Sequence, residues 1–280
     1  MDNFYHLKSS TVLRSLIFIL LGLLILNLTA IGVEYYLNFY THSSITGSYS
    51  FKHYVTELFN FDGERNLPTY FSTLNFFIGA GLLFTISRAV KKSQHAPYHR
   101  QWYLMACVFV WLGIDELISL HELLVKPTRA FLKETLQQDN LGFLNFAWFV
   151  PYVLVFALMG LYLLKFVLSL PKKTLINFVA AGVIFLTGAV GMEMVGGLFM
   201  ANQGNGLSLT YKLLTSFEEM LEMLGIIFFI YSLIRYIEHQ QDLKNVIVMA
   251  IAINPSQEKQ AHVPSIPRTT EGELAMAKVS

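Results

Sequence analysis

Six stretches of mostly apolar residues recur along the chain, each close to the roughly 20 residues a helix needs to cross a hydrocarbon core. They fall at 12–33, 68–90, 102–124, 144–169, 174–199 and 211–237. In lipid a backbone must satisfy its own N–H and C=O groups, so runs of this length are helices. The fold class expected is all-α, a polytopic transmembrane bundle of about six spans. Composition agrees: 54% of residues are hydrophobic and only 14% charged, against about 25% charged in a soluble domain. A net charge of +1 gives no reason to expect nucleic acid as a partner. The single cysteine, Cys107, lies in an apolar run and has no partner for an intrachain disulfide. The first run is long for the apolar core of a signal peptide and no small-x-small site follows it, so a retained span is expected.

Basic residues test the span count independently. Lys8 and Arg14 precede the first span, Arg88, Lys91, Lys92 and Arg100 separate the second from the third, and Lys165, Lys172 and Lys173 surround the turn after the fourth. Arg235 and Lys244 lie at or beyond the end of the sixth. All fall on one side of a six-span chain, which makes that side cytoplasmic, with both termini inside. The membrane domain is expected over 1–253, with an aromatic-rich outer loop at 34–67 long enough for an interfacial helix or lid. Residues 254–280 are polar and carry three prolines, which predicts a disordered cytoplasmic tail. Val246 to Ile253 is apolar but too short to span. The terse loops fit a bacterial inner membrane.

Acids interrupt three of these spans. The third contains Asp115, Glu116, His121 and Glu122, the fifth Glu193, and the sixth Glu218, Glu219 and Glu222. Ionisable groups inside spans are costly, usually face the bundle interior and mark functional sites. With the amino terminus inside, all three motifs fall in the outer half, at one depth. At about 100° per residue on one continuous helix, Asp115 and Glu122 lie within about 20° of each other. Glu218 and Glu222 share a face by i, i+4 spacing.

A shared centre of Asp115, Glu122, Glu193, Glu218 and Glu222 is therefore expected, with His121 as a further ligand and Glu116 and Glu219 close by. Glu193, Glu222 and Asp115 are the candidate catalytic groups. Seven carboxylates with no Lys or Arg beside them repel one another strongly, so shared protons or a bound cation must complete the group. Carboxylates with one imidazole suit hard or borderline divalent metals. Arg65 would be a counterion if the outer loop folds over the site. Glu64 and Asn66, just before the second span, either cap its helix or join the site. The glycines of the fifth span (Gly182, Gly188, Gly191, Gly196, Gly197) read as close-packing positions.

The pattern Glu64-Arg65-Asn66-Leu67-Pro68-Thr69, then Asp115-Glu116 and His121-Glu122, Glu193, and Glu218-Glu219-x-x-Glu222 resembles a group of uncharacterised bacterial multi-pass membrane proteins. A fainter, architectural similarity is to the ceramidase and progestin-receptor-like membrane hydrolases, on Glu64, Asn66, Ser72, Asn75 and Asp115. That resemblance implies a membrane hydrolase, yet Glu218 and Glu222 stand where those proteins need a zinc-binding histidine pair.

Three functions fit these residues. A metal-dependent membrane enzyme would act on a lipid or other hydrophobic substrate. A cation or proton transporter would use the acids as a relay. A structural subunit would hold them as protonated helix contacts. The apolar inner halves offer no polar path to the cytoplasm, which favours the first.

Overall fold

The computed structural model describes residues 8–40, 51–92, 97–204, 206 and 208–240. The apolar segment Val246 to Ile253 and the tail 254–280 lie outside the described residues. The regular elements among the described residues are all helical, in the order α1 (Ser9–Tyr40), α2 (Phe51–Phe59), α3 (Leu67–Lys92), α4 (His99–Ile118), α5 (Glu122–Leu136), a 3₁₀ turn (Gly142–Leu144), α6 (Phe149–Leu168), α7 (Lys172–Leu186), a π-helical stretch (Thr187–Met192), α8 (Glu193–Gln203) and α9 (Leu209–His239). Six helices are long and apolar enough to cross a membrane: α1, α3, α4, α6, α7 continued through α8, and α9. The chain is an all-α polytopic bundle, and its six spans make it an integral membrane protein.

α9 is the central post. It packs on α1, α3, α7 and the π-helical stretch, and it buries Met223, Ile227, Ile230 and Leu233 completely. Gly225 explains how α7 comes so close: a Cβ there would stand 2.7 Å from the Phe185 backbone nitrogen. Close approach through a glycine is how helices gain dispersion contact in lipid, where no hydrophobic effect drives them together.

Polar pins fix α1 against α9 at both ends. At the basic end the Ser9 backbone N–H and hydroxyl donate to the Glu238 carboxylate, each at 2.7 Å. Towards the other end Asn27, fully buried, donates to Ser216 Oγ at 2.7 Å and accepts from the Phe61 N–H at 3.0 Å. Beyond it Lys212 pairs with Glu34. These bonds are made where lipid could offer no substitute, so each pins register as well as contact.

The two ends of the bundle differ in filling. The basic end is a dry aromatic core in which the Trp102 indole meets Phe166 at 4.9 Å, Tyr236 at 5.2 Å and Phe178 at 6.1 Å between ring centroids. Leu83, Ile86, Ala106 and Leu233 close around it. α6 joins this core through Phe166 and Leu163 but stands off from the other helices along its middle. There Leu154, Val155, Leu158, Leu161 and Tyr162 are 60–68% exposed, a face only lipid would cover.

Span boundaries differ from those read in the sequence: the first span is longer at both ends, Ser9–Leu37, and the second and sixth by one or two residues. The third span ends at Ile118, because Ser119 adopts a left-handed conformation (φ 53) and its N–H turns back to the Asp115 carbonyl at 2.6 Å. A separate amphipathic helix, α5, follows. The fourth span begins at Phe149 instead of 144, after a 3₁₀ turn and an irregular segment. The fifth runs from Lys172 to Gln203 through the π-helical stretch. The outer region 34–67 contains the end of α1 and the amphipathic α2. Among the span-five glycines, Gly188 does pack tightly, since a Cβ would lie 2.8 Å from the Glu218 carbonyl oxygen. Gly182, expected to do the same, has nothing within 4 Å.

Candidate functional site

Opposite the dry core, the bundle opens into a cavity of about 870 Å³. All the acids of the three span motifs line it: Asp115 and Glu116 from α4, Glu122 from the start of α5, Glu193 from the start of α8, and Glu218, Glu219 and Glu222 from α9. His121 lines it too, with Asp62 and Glu64 from the segment before α3. The acids expected at one depth therefore share one chamber.

The reason for their convergence is not the one that helical spacing gave. Asp115 and Glu122 were expected to share a face of one continuous helix, and the break at Ser119 removes that relation. The break instead folds the chain back on itself. The Asp115 carboxylate accepts from the His121 backbone N–H at 2.8 Å and from its ring Nδ1 at 3.1 Å, and the Tyr152 hydroxyl of α6 donates to it at 2.9 Å. Asp115 is 6% exposed, so these donors replace the water it lost. With Nδ1 taken by Asp115, the remaining ring nitrogen, Nε2, is the one left for other partners.

A second segment meets the first. Ala147 is completely buried with φ 47, and this strained turn carries Trp148 into the chamber. The indole lies 4.6 Å from the His121 ring between centroids, and its N–H donates to Glu193. Glu193 is in turn hydrogen-bonded to Glu218. Tyr152, Asp115, His121, Trp148, Glu193 and Glu218 thus form one connected network across α6, α4, two irregular segments, α8 and α9. Non-glycine residues in left-handed conformations persist where the surrounding structure over-determines them, and they cluster at functional sites. Ser119 lies two residues before His121, and Ala147 immediately before Trp148. The π-helical stretch, another feature common at functional sites, ends on Glu193.

Two contacts in the chamber join carboxyl to carboxyl: Glu193 with Glu218, and Glu64 with Glu122. Like-charged groups do not approach so closely unless a proton or a cation lies between them. Outside the spans the acids respond accordingly. Burial raises the pKa of Glu122, and the neighbouring Glu64 raises it further. Asp62, at the mouth, is pushed up to about 6 by the protein packed around it, and Glu57, Glu122 and Glu193 add to the shift against the pull of Lys212. For His121, burial alone would lower the pKa, but the Asp115 hydrogen bond and the charges of Asp115, Glu116 and Glu122 leave it raised.

The residues before α3 divide. Asn66 is the helix cap: its side-chain oxygen accepts from the Thr69 N–H at 3.2 Å and the Thr69 hydroxyl at 3.0 Å, and its amide holds the carbonyls of Glu57, Asn60 and Gly63. It does not line the chamber, whereas Glu64 does. Arg65 does not line it either, and among the described residues it forms no ion pair. The cation that acts on the mouth is Lys212, held by Glu34. Among the described residues, no three His, Cys, Asp or Glu side chains stand together so as to hold a metal ion. The expected multi-carboxylate ligand shell is not assembled by these rotamers.

Sequence reasoning did not single out Trp148 or Tyr152, which lie among apolar and aromatic residues with no motif around them, and it gave Asp62 no role of its own although Asp62 lines the mouth. Comparison with curated proteins and with solved structures gives no match. A family model does match, over residues 16–236, which takes in every span and every acid of the chamber. The chain belongs to the family described as "Domain of unknown function (DUF8692)".

Proposed function

We propose that this protein is a membrane-embedded enzyme that acts on a lipid or other hydrophobic substrate, with the carboxylate chamber as its active site. One observation carries the reading: the chamber has two unlike parts. Acids and His121 line one, while Phe156, Ala157, Val183, Leu186 and Val190 line an apolar slot between α6 and α7. Because α6 stands off from the bundle along its middle, the slot faces the lipid. An amphipathic molecule would lie with its tail in the slot and its polar end among the acids, the division usual in small-molecule sites.

The chemistry follows from the connected network. Asp115 orients His121 and stabilises its charged form, so His121 takes a proton from water or from a substrate hydroxyl. The Glu193–Glu218 pair, sharing a proton, returns one to the departing group. A divalent metal ion would supply the positive charge that the chamber lacks and would activate water. Glu193, Glu218 and Glu222 are the residues to hold it, with Glu122 and Asp115 nearer His121. Among the described residues these carboxyls do not stand together as a ligand shell, so binding would have to draw them in. Trp148 and Tyr152 keep the polar groups in place.

The transporter reading needs a route through the bundle. The chamber ends against Phe76, Leu112 and Phe185, and beneath them lies the Trp102 core. A polar dead end opening sideways suits a substrate that enters and leaves through the membrane.

Elemental analysis of the purified protein tests the metal, with Glu193→Gln and Glu222→Gln as comparisons. A stoichiometric divalent metal, lost in both variants, is the expected result. No metal, together with unchanged thermal stability in both variants, would sink the shared centre. Cation flux into proteoliposomes would replace the enzyme with a transporter.

A further inference from the structure

At the end of the bundle away from the chamber, α3 and α4 enclose a cleft of about 860 Å³. Its lining is cationic at one end, with Arg88, Lys91, His99 and Arg100, and contains no Asp or Glu. Among the described residues none of Arg88, Lys91 and Arg100 is in an ion pair. Three full positive charges therefore face one concavity with no anion among the described residues to meet them. α4 begins at this point without a side-chain cap, so the positive end of its backbone dipole adds to the same field. The rim is held in place by the Ser87 hydroxyl, which donates to the His99 carbonyl at 2.8 Å.

The other end of the cleft is apolar. Phe84 and Tyr103 form a wall, with ring centroids 5.3 Å apart in an edge-to-face arrangement, and Tyr103 is 55% exposed. Beside it Gly81 has no atom within 4 Å of where a Cβ would stand, which leaves a notch running down α3 towards the middle of the membrane. A free anion would have no use for such a notch. A molecule with a phosphate at one end and an acyl chain at the other fills both parts.

We propose that this cleft is a binding site for an anionic phospholipid of the cytoplasmic leaflet. The phosphate sits among Arg88, Lys91 and Arg100, and an acyl chain lies along Gly81 against Phe84 and Tyr103. The placement agrees with the charge bias that makes this side cytoplasmic, and basic pockets between spans on that side suit such headgroups. The site is separate from the carboxylate chamber and would stand whatever that chamber does. Its charge would also tie the α3–α4 hairpin to the membrane surface.

Native mass spectrometry of the full-length protein, exchanged into mixed phosphatidylcholine and phosphatidylglycerol, tests the site. Wild type should retain phosphatidylglycerol in preference to phosphatidylcholine. The triple variant Arg88→Gln, Lys91→Gln, Arg100→Gln should retain it about a hundredfold less, at roughly a factor of five per cation near the surface. The double variant Lys172→Gln, Lys173→Gln, which removes charge from the same end outside the cleft, should keep it. A loss in the double variant equal to that of the triple per charge removed, about twenty-five-fold for two cations, would mean a diffuse surface potential and would overturn the site. Displacement of the lipid by millimolar inorganic phosphate would make this a free-anion site instead and would overturn the lipid assignment. Should the triple variant fail to fold, Gly81→Leu decides, since it fills the notch, keeps every charge and suits a helix. Reduced retention is expected, and unchanged retention would refute the proposal.

Discussion

The chamber and the Trp102 core are built from the same helices, yet one is a polar hollow and the other a dry, filled interior. In the core, contact is made by rings and branched side chains packed without gaps, and the protein is stabilised by what fills the space. In the chamber, carboxyl groups have been drawn out of water without a matching set of basic residues, a cost that folding alone does not require. Stability at one end is set against some other demand at the other, the pattern expected of a functional site.

Trp102→Ala should sharpen that contrast most. It empties the centre of the core and should cost about 4 kcal/mol, read as a lower thermal unfolding midpoint in detergent. A loss no larger than that of a surface substitution would erase the distinction between the two ends.

Asp115→Asn is next, at about 2 kcal/mol, because it weakens three charged hydrogen bonds at once. Its pH dependence gives a second check. His121 has a raised pKa in the folded state, so the stability of its pair with Asp115 is fully present below the ordinary histidine value of about 6.5. That stability is lost as pH rises through the higher folded value. Melting curves across this interval should slope in wild type and be flatter in Asp115→Asn and in His121→Gln.

Glu219→Gln should go the other way, gaining about 1 kcal/mol, because it removes one of the mutually repelling carboxyls. A loss instead would mean that Glu219 anchors a contact and that the chamber is a packed structural interface, which would break the comparison outright.

Asp62→Asn is the smallest effect. With a folded value of about 6, Asp62 favours the folded state below the ordinary aspartate range, and that contribution is lost as pH rises through 6. At neutral pH the variant should therefore be the more stable, and below about pH 4 the two should coincide. The residue as a whole is exposed at the rim although its carboxyl is crowded by the chamber wall, so solvent screening leaves about 0.5 kcal/mol. Identical pH profiles would show that Asp62 does not feel the chamber.

The legible parts of this protein were those governed by solvent and charge sign. Span count and helical class follow from uninterrupted apolar length. The depth of Glu193 and Glu218 follows from the alternation of spans, and their meeting in one cavity agrees with it. What failed was reasoning that extended a helix past its real end. Nothing between Ile118 and Glu122 is a glycine or proline, so the left-handed turn at Ser119 has no local signature, and the Asp115–His121 pair could not be foreseen. Asn66 read equally as a cap or as a site residue, and its bonds to Thr69, three residues on, make it the cap.

The sequence by itself determined that this chain lives in a membrane, how often it crosses, and that its acids must gather at one level. Bilayer thickness and the cost of buried charge act on each segment separately, and so can be read segment by segment. Only the tertiary structure decided that Trp148 links His121 to Glu193, that α6 stands away to leave an apolar slot, and that Arg65 is not the counterion while Lys212 guards the mouth. Those relations join residues up to 178 positions apart, as with Lys212 and Glu34. They depend on how whole helices lean on one another, which no local pattern encodes.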